Sequence, residues 1–160
     1  MTSEFVHLHN HSDYSLLDGA QKIDQLVNTI DDLNMDAVAL TEHGNMFSVL
    51  PYYKQAKKSG ITPIIGCEIY VAVGSRFEKK TRSDGGWGNN HLILLAQNFT
   101  GYKNLMKLVT AGYLEGFYYR PRIDMDLLRE YSEGLICMSA CLKGVVPEKM
   151  LKGDYEGARK

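Results

Sequence analysis

Short apolar runs alternate along this chain with longer segments whose apolar residues recur at helical spacing. The runs predict strands at residues 5–9, 37–41, 63–66, 91–96 and 135–139. Strands that alternate with helices are typical of βα units around a mainly parallel sheet. An α/β fold is therefore expected, and the pattern suits an open doubly wound sheet as well as part of a βα barrel.

Three of the segments between the strands place apolar residues on one helical face, which can cover a sheet. These faces are formed by Ile23, Leu26, Val27, Ile30 and Leu33, by Leu50, Tyr53 and Ala56, and by Tyr102, Leu105, Met106, Val109 and Tyr113. Gly60 predicts the end of the second helix, and Pro51 fits only the first turn of that helix. Gly134 predicts a boundary just before the last strand.

The composition is 44% hydrophobic and 23% charged over 160 residues, which is typical of one globular domain with a buried core. No apolar run approaches the roughly 20 residues that a membrane helix requires. The N-terminus has no basic start followed by an apolar stretch, and three cysteines are too few for a disulfide framework. We therefore expect a cytoplasmic protein without membrane contacts.

The net charge of -1 excludes a generally basic protein that holds nucleic acid through bulk electrostatics. Any contact with nucleic acid must therefore be local. The densest basic stretch runs from Arg76 to Arg82, and a glycine-rich segment with Trp87 follows it. This composition predicts an exposed loop at residues 75–90, and a solvated loop is favoured over one that contacts a nucleic-acid strand.

Three histidines, His7, His9 and His11, occupy alternate positions at the end of the first predicted strand. Side chains two residues apart on a strand point to the same side, so the three imidazoles share one face. One histidine would suit a solvent-facing or core role, whereas three at this spacing favour metal ligation. Chemistry collects at the C-terminal ends of strands in both candidate folds, which selects His9 and His11. His7 is expected deeper, as a hydrogen-bonded core histidine apart from the site.

Polar residues also mark the ends of the other strands. Glu42 and His43 directly follow the second strand, and His91 opens the fourth. Glu68 interrupts the apolar run of the third strand, and a lone buried carboxylate is costly, so a metal or a cationic partner is expected. Cys141 follows the fifth strand, although a cysteine taken alone is more often a small buried apolar residue than a ligand.

Imidazole, carboxylate and thiol groups from five strand ends are suitable ligands for zinc or manganese. They are more numerous than the ligands that a single ion would bind. Several ions together suit hydrolysis of phosphate esters, because they activate water and neutralise the charge that develops on a phosphoryl oxygen.

The same segments resemble, in order and spacing, the motifs of the polymerase and histidinol phosphatase (PHP) family. They are LHNHS at 8–12, TEHG at 41–44, GCE at 66–68, HL at 91–92 and SAC at 139–141. Three further segments resemble the N-terminal PHP domain of bacterial DNA polymerase III alpha subunits, the C-family replicative polymerases. They are FVHLHNHSDYSLLDG at 5–19, FTGYKNL at 99–105 and LEGFYYRPRID at 114–124. The similarity covers nearly all 160 residues.

The resemblance implies up to three zinc or manganese ions, and a metal-bound hydroxide is expected as the catalytic group. It implies His9 and His11 on one metal, Glu68 bridging to a second metal held with His91 and Cys141, and Asp18 with His43 on a third. Asp18 enters through the resemblance alone, because Asp18 and Gly19 by themselves are typical of a turn before the first helix.

Two features depart from the family pattern. The family usually has aspartate where this chain has Glu42, so the surroundings of His43 differ by one methylene. The family's last motif, an aspartate and a histidine two residues apart, is expected beyond Lys160. A PHP domain is a distorted barrel of seven βα units, so five strands correspond to an incomplete barrel with an unpaired sheet edge. We expect residues 1–160 to be a PHP domain truncated on its C-terminal side.

The resemblance implies part of the DNA-directed DNA polymerase, a nucleotidyltransferase, of bacterial chromosome replication. The domain itself is expected to be a metal-dependent phosphoesterase that acts as a 3'-5' proofreading exonuclease. The alternative is a catalytically silent, metal-braced scaffold that supports the polymerase and docks a separate proofreading exonuclease. A free-standing phosphatase resembling histidinol phosphatase is disfavoured by the polymerase-like segments. The implied partners are DNA, the rest of the alpha subunit, a proofreading exonuclease subunit and other replisome subunits.

Overall fold

The computed structural model describes residues 5–16, 18–79 and 89–159. They form a mixed five-stranded sheet with helices packed against it, which confirms the α/β expectation. The strands are β1 Ala37–Leu40, β2 Thr62–Ala72, β3 Asn89–Ala96, β4 Arg122–Ile123 and β5 Leu135–Met138. The helices are α1 Ile23–Asp32, α2 Val49–Lys58, α3 Phe99–Leu114, α4 Met125–Glu130, α5 Val145–Leu151 and α6 Tyr155–Arg159. Within these described ranges, no helix has the length and apolar character of a membrane span.

The strand order is β1-β2-β3-β5, and β4 pairs with the end of β2. β1 and β4 are parallel to β2, whereas β3 is antiparallel to both β2 and β5. The expectation of a mainly parallel sheet is therefore wrong for the described strands. The described part of the connection from β2 to β3 contains no helix, and a parallel pair would need a crossover that is usually helical. Closure into a barrel stays a prediction.

The first predicted strand is present as an extended segment beside β1 and not as a ladder. The backbone N–H groups of Ala39 and Thr41 donate to the carbonyls of His7 and Asn10, at 2.8 Å and 2.9 Å. Only one bridge, between His7 and Val38, forms here, and it is parallel. Beyond it the chain turns at residues 13–14, so the pairing does not extend. This segment still brings the N-terminal histidines alongside β1.

β2 is longer than predicted, because the apolar run continues past Glu68 through Ile69, Tyr70 and Val71. Such aromatic and β-branched residues are favoured in strands. In the register with β3, Tyr70 lies opposite His91. Side chains at alternate positions share a face, so Glu68, Tyr70 and His91 all point to the same side of the sheet. Because β2 continues past Glu68 and pairs with β3, it brings His91 to the same side of the sheet as the Glu68 carboxylate.

The core lies between the sheet and the helices α1 to α4. One cluster packs α1 and α2 against β1, and a second packs α3 and α4 against β2, β3 and β4. In α2 the buried residues are Tyr52 and Ala56, whereas Leu50 and Tyr53 of the predicted face are exposed. The Tyr52 hydroxyl donates a hydrogen bond to the carbonyl of Val38, which ties this face of α2 to β1.

Of the described residues in the predicted loop at 75–90, residues 77–79 are exposed as expected, whereas Arg76 and Asn90 are packed. The Arg76 backbone N–H and guanidinium donate to Asp124 at 3.0 Å and 3.1 Å. Asn90 is buried in β3, while the three residues after Arg76 are exposed. Residues 80–88 lie outside the described residues, and for them exposure stays a prediction.

We predict that Gly60→Ala and Gly134→Ala lower the free energy of unfolding by different amounts. Both glycines have a positive φ, of 76° and 72°, where a side chain costs about 1–2 kcal/mol. A Cβ at Gly60 would meet nothing within 4 Å, whereas one at Gly134 would lie 2.5 Å from Asn98 Oδ1 and 2.6 Å from Gly101 N. Urea unfolding should therefore show the larger loss for Gly134→Ala. Equal losses would contradict the packing of Gly134 against α3.

Candidate metal centre

Glu68 lies at the centre of a group of four histidines. Its carboxylate is only 2% exposed, and Oε2 lies 2.7 Å from His9 Nε2 and 3.3 Å from His11 Nε2. The other oxygen, Oε1, lies 2.6 Å from His91 Nδ1 and 3.3 Å from His43 Nδ1. Imidazoles from the N-terminal segment, the end of β1 and β3 therefore converge on one buried carboxylate of β2. This group is called the Glu68 centre below.

Backbone pairing places His43 beside Glu68. After β1 ends, His43 forms a parallel bridge with Glu68, and Gly44 N donates to the Glu68 carbonyl at 2.8 Å. Glu68 N in turn donates to the Glu42 carbonyl at 3.0 Å. These bonds extend the β1–β2 pairing past the strand end, which is where the strand-end rule predicted a site.

The remaining two predicted ligands contact the histidines of the centre. Asp18 Oδ2 lies 3.0 Å from His43 Nε2, and Cys141 Sγ lies 3.7 Å from His91 Nδ1. The structure therefore brings all seven predicted ligands into one connected group. The assignment of each residue to a metal ion stays a prediction.

His7 lies outside the Glu68 centre. Its side chain is exposed, and its ring contacts Phe5 edge to face with 4.8 Å between ring centroids. The expectation of a core histidine is therefore wrong, while its separation from the other histidines is as expected. The reason is that the N-terminal segment runs along the edge of the sheet, where a side chain can reach solvent.

The histidines control the ionisation of Glu68. Burial alone would raise the pKa of Glu68, but the close imidazoles of His11, His43 and His91 outweigh burial and hold the pKa well below its usual range. Conversely, the nearby Glu68 carboxylate raises the pKa of His43 against the opposing effect of burial. The centre therefore holds an ionised carboxylate among imidazoles, which is an environment that attracts a cation.

The donor set fits a divalent metal ion. The ligand atoms of His9, His11 and Glu68 all lie within 4.8 Å of one another. His11 Nδ1 and His43 Nδ1 are buried without a hydrogen-bond partner among the described residues, and the 3.3 Å approach of His43 Nδ1 to Glu68 is not aligned as a hydrogen bond. A buried polar atom normally has a partner, and neutral imidazole nitrogens are common metal ligands.

Comparison with known proteins agrees with these features. A family model for the PHP domain matches residues 7–160. The chain belongs to the PHP domain family.

Two relatives of this PHP domain are DNA polymerase III alpha subunits. The chain is 57% identical to that of Borreliella burgdorferi over 157 residues, which make up 98% of this chain and 14% of the relative. It is 52% identical to that of Treponema pallidum over 149 residues, or 93% of this chain and 13% of the relative. The resemblance to DNA polymerase III alpha subunits is thereby confirmed, and the chain spans only a small part of their length.

One solved structure is a two-domain protein from Bacteroides vulgatus that contains a predicted PHP-like metal-dependent phosphoesterase. It matches with a TM-score of 0.47 and 19% sequence identity, over 82% of this chain and 33% of that protein.

Sequence reasoning missed the residues that position the ligands of this PHP domain. The buried Glu42 carboxylate accepts hydrogen bonds from Ser12 N at 3.1 Å and from the hydroxyls of Ser12 and Ser15. Ser15 Oγ also accepts a hydrogen bond from His43 N at 3.0 Å. Glu42 therefore fixes the turn that carries Asp18 against the backbone of His43. The available signal was an acid that directly follows an apolar strand, with no lysine or arginine nearby in the sequence.

We predict that Glu42→Gln destabilises the metal-free PHP domain by about 1–3 kcal/mol, because the glutamine amide cannot accept from the second buried hydroxyl. It should also weaken binding of Mn²⁺, since the turn that holds Asp18 and His43 loses its anchor. Urea unfolding and calorimetric titration with Mn²⁺ measure the two effects. The matched control is Glu133→Gln, which changes an exposed side chain. Equal stability of both variants would contradict the positioning role.

Proposed function

We propose that this chain is the PHP part of a DNA polymerase III alpha subunit, the DNA-directed DNA polymerase of bacterial chromosome replication. We further propose that the Glu68 centre is a metal-dependent phosphoesterase site that acts as a 3'-5' proofreading exonuclease. The high identity to alpha subunits across nearly the whole chain supports the first part. The observation that carries the second is the convergence of four imidazoles on one buried, ionised carboxylate.

The proposed ligands fall into three sets that follow the observed contacts. His9 and His11 would hold one ion, Glu68 would bridge it to a second ion held with His91 and Cys141, and Asp18 and His43 would hold a third. Zinc or manganese would suit this mixture of nitrogen, oxygen and sulfur ligands. When bound, the ions would supply the Lewis acidity that activates water and stabilises charge on the phosphoryl oxygens.

The chain's own residues would bind and orient the strand end. The cleft beside the centre has a volume of about 1020 Å³ and is lined by His43, His91 and Asp18, so a terminal phosphodiester can reach these side chains. Arg120 and Lys143 also line the cleft and would contact the phosphates. Hydrolysis adds water to the terminal phosphorus and breaks its bond to the 3' oxygen of the preceding nucleotide. The products are a nucleoside monophosphate and a new 3' hydroxyl.

A metal-braced scaffold is the second candidate function. The Glu68 centre links the N-terminal segment, the end of β1, β2 and β3, so a metal ion bound there would cross-link four separate segments. In that role the domain would support the polymerase and dock a separate proofreading exonuclease. Either role implies DNA, the rest of the alpha subunit and other replisome subunits as partners, in the cytoplasm.

The test compares the 160-residue chain with a longer alpha-subunit polypeptide that includes the family's last motif. Metal content and 3'-5' cleavage of single-stranded DNA are measured for both. We expect cleavage in Mn²⁺ or Zn²⁺ by the longer polypeptide, its loss on removal of metal with EDTA, and feeble cleavage by the 160-residue chain. His11→Ala in the longer polypeptide should lower both metal binding and cleavage by at least about 100-fold.

His7→Ala is the matched control, because it removes an imidazole that lies outside the centre. Full cleavage by the 160-residue chain would show that the last motif is dispensable. A longer polypeptide that binds metal without cleaving DNA would favour the scaffold. Unchanged metal binding in His11→Ala would contradict the proposed centre altogether.

A further inference from the structure

The cleft beside the Glu68 centre has an aromatic side as well as a polar one. His43 and His91 of the centre line part of it, and Phe47, Tyr113 and Phe117 line another part. The volume of about 1020 Å³ lies at the upper end of the range of about 300–1,000 Å³ for small-molecule pockets. The cleft can therefore hold a segment of a polymer next to the centre.

Phe47, Tyr113 and Phe117 form a continuous surface, called the aromatic wall here. The ring centroids of Phe47 and Tyr113 lie 6.1 Å apart, and those of Tyr113 and Phe117 lie 6.2 Å apart with their planes at 30°. The three side chains are 64%, 37% and 47% exposed. Adjacent large apolar side chains that stay this exposed are typical of binding surfaces. Their flat faces suit a flat ligand.

A cation lines the same cleft as the wall and lies near the centre. Arg120 lines the same cleft, and its guanidinium lies 5.6 Å from the centroid of the Tyr70 ring. That ring contacts both His43 and His91, at centroid distances of 6.4 Å and 5.1 Å. Arg120 forms no ion pair with a carboxylate of the described ranges. Its guanidinium is therefore available to an anionic ligand, and its planar geometry matches a phosphate.

We propose that the aromatic wall and Arg120 form a subsite for the terminal nucleotides of a single DNA strand, with the bases stacked on the wall and a phosphate bound by Arg120. Stacking platforms next to cationic groups are the general means of binding single strands without sequence preference. The inference rests on the proposed function, because the stacked strand end would present its terminal phosphodiester to the Glu68 centre.

The subsite also selects the form of the DNA. Only a base that has left its duplex stack can lay its face on the wall, and unstacking is least costly at a mispaired or single-stranded end. The wall therefore favours a frayed end over a paired one. With a net charge of -1, the chain has no bulk electrostatic attraction to DNA, so stacking and a local guanidinium supply the binding contacts.

The test measures binding of the metal-free 160-residue chain to a labelled single-stranded thymidine oligonucleotide by fluorescence anisotropy. The variants are Phe47→Leu and Phe117→Leu, which keep an apolar side chain and remove the ring. Each should weaken binding about 5-fold or more, in line with stacking energies of about 1–3 kcal/mol per base. Phe99→Leu is the matched control, because Phe99 is an exposed aromatic residue at the other end of α3 and outside the cleft.

A second probe has the same backbone but no bases at its 3' end. The unchanged chain should bind this abasic probe as weakly as the leucine variants do, and the variants should not distinguish the two probes. Removing the ring from the protein and the base from the probe, separately and together, distinguishes the contact between ring and base from a general loss of structure. Circular dichroism checks the fold of each variant. Equal binding of both probes by the unchanged chain would overturn the subsite, as would variants that bind like the control.

These outcomes are separable from those of the exonuclease test. Cleavage by the longer polypeptide with unaltered binding by the leucine variants would refute the subsite and leave the proposed exonuclease intact. Ring-dependent binding without any cleavage would support the subsite and refute the exonuclease.

Discussion

The buried Glu68 carboxylate is the constraint on which the rest of the site depends. An ionised carboxylate that is 2% exposed loses several kcal/mol of hydration unless groups nearby replace the water. Four imidazoles provide this replacement, and the one most distant from Glu68 in sequence, that of His9, lies 59 residues away. The N-terminal segment, the end of β1 and β3 must therefore all be in place before the charge on β2 is tolerated. The site therefore depends on the pairing of the sheet.

Two buried carboxylates lie side by side in this structure and are stabilised in different ways. Glu42 and Glu68 share a backbone hydrogen bond, so their positions are coupled. Glu42 is held by two serine hydroxyls and a backbone N–H, which fully occupy it with structural bonds. Among the described residues, the Glu68 carboxylate contacts imidazoles, whose ring nitrogens are common metal ligands. The difference in partners therefore separates an acid that positions the backbone from an acid that is a candidate ligand.

Local patterns predicted which residues form the Glu68 centre better than they predicted the sheet. Alternation along a strand and the rule of strand ends identified His9, His11 and His43, since both depend only on nearby sequence. The direction of β3 depends on how it pairs with β2 in the fold, which nearby sequence does not fix, and it was predicted wrongly. Tyr52 and Tyr53 are adjacent and chemically identical, so the sequence does not indicate which of them lies on the buried face of α2. Asp18 came only from the family resemblance, because its role depends on a turn anchored by a distant acid.

The charge of the centre has a further consequence for a polyanionic substrate. Without metal ions, Glu68 and Asp18 contribute negative charge beside the imidazoles, and this contribution weakens the attraction of a phosphate to the centre. Bound cations would reverse the sign of this field, so metal binding and strand binding should favour each other. Contacts between bases and aromatic rings do not depend on this sign. An aromatic wall would therefore hold a strand end in place whether or not the neighbouring ligands carry their ions.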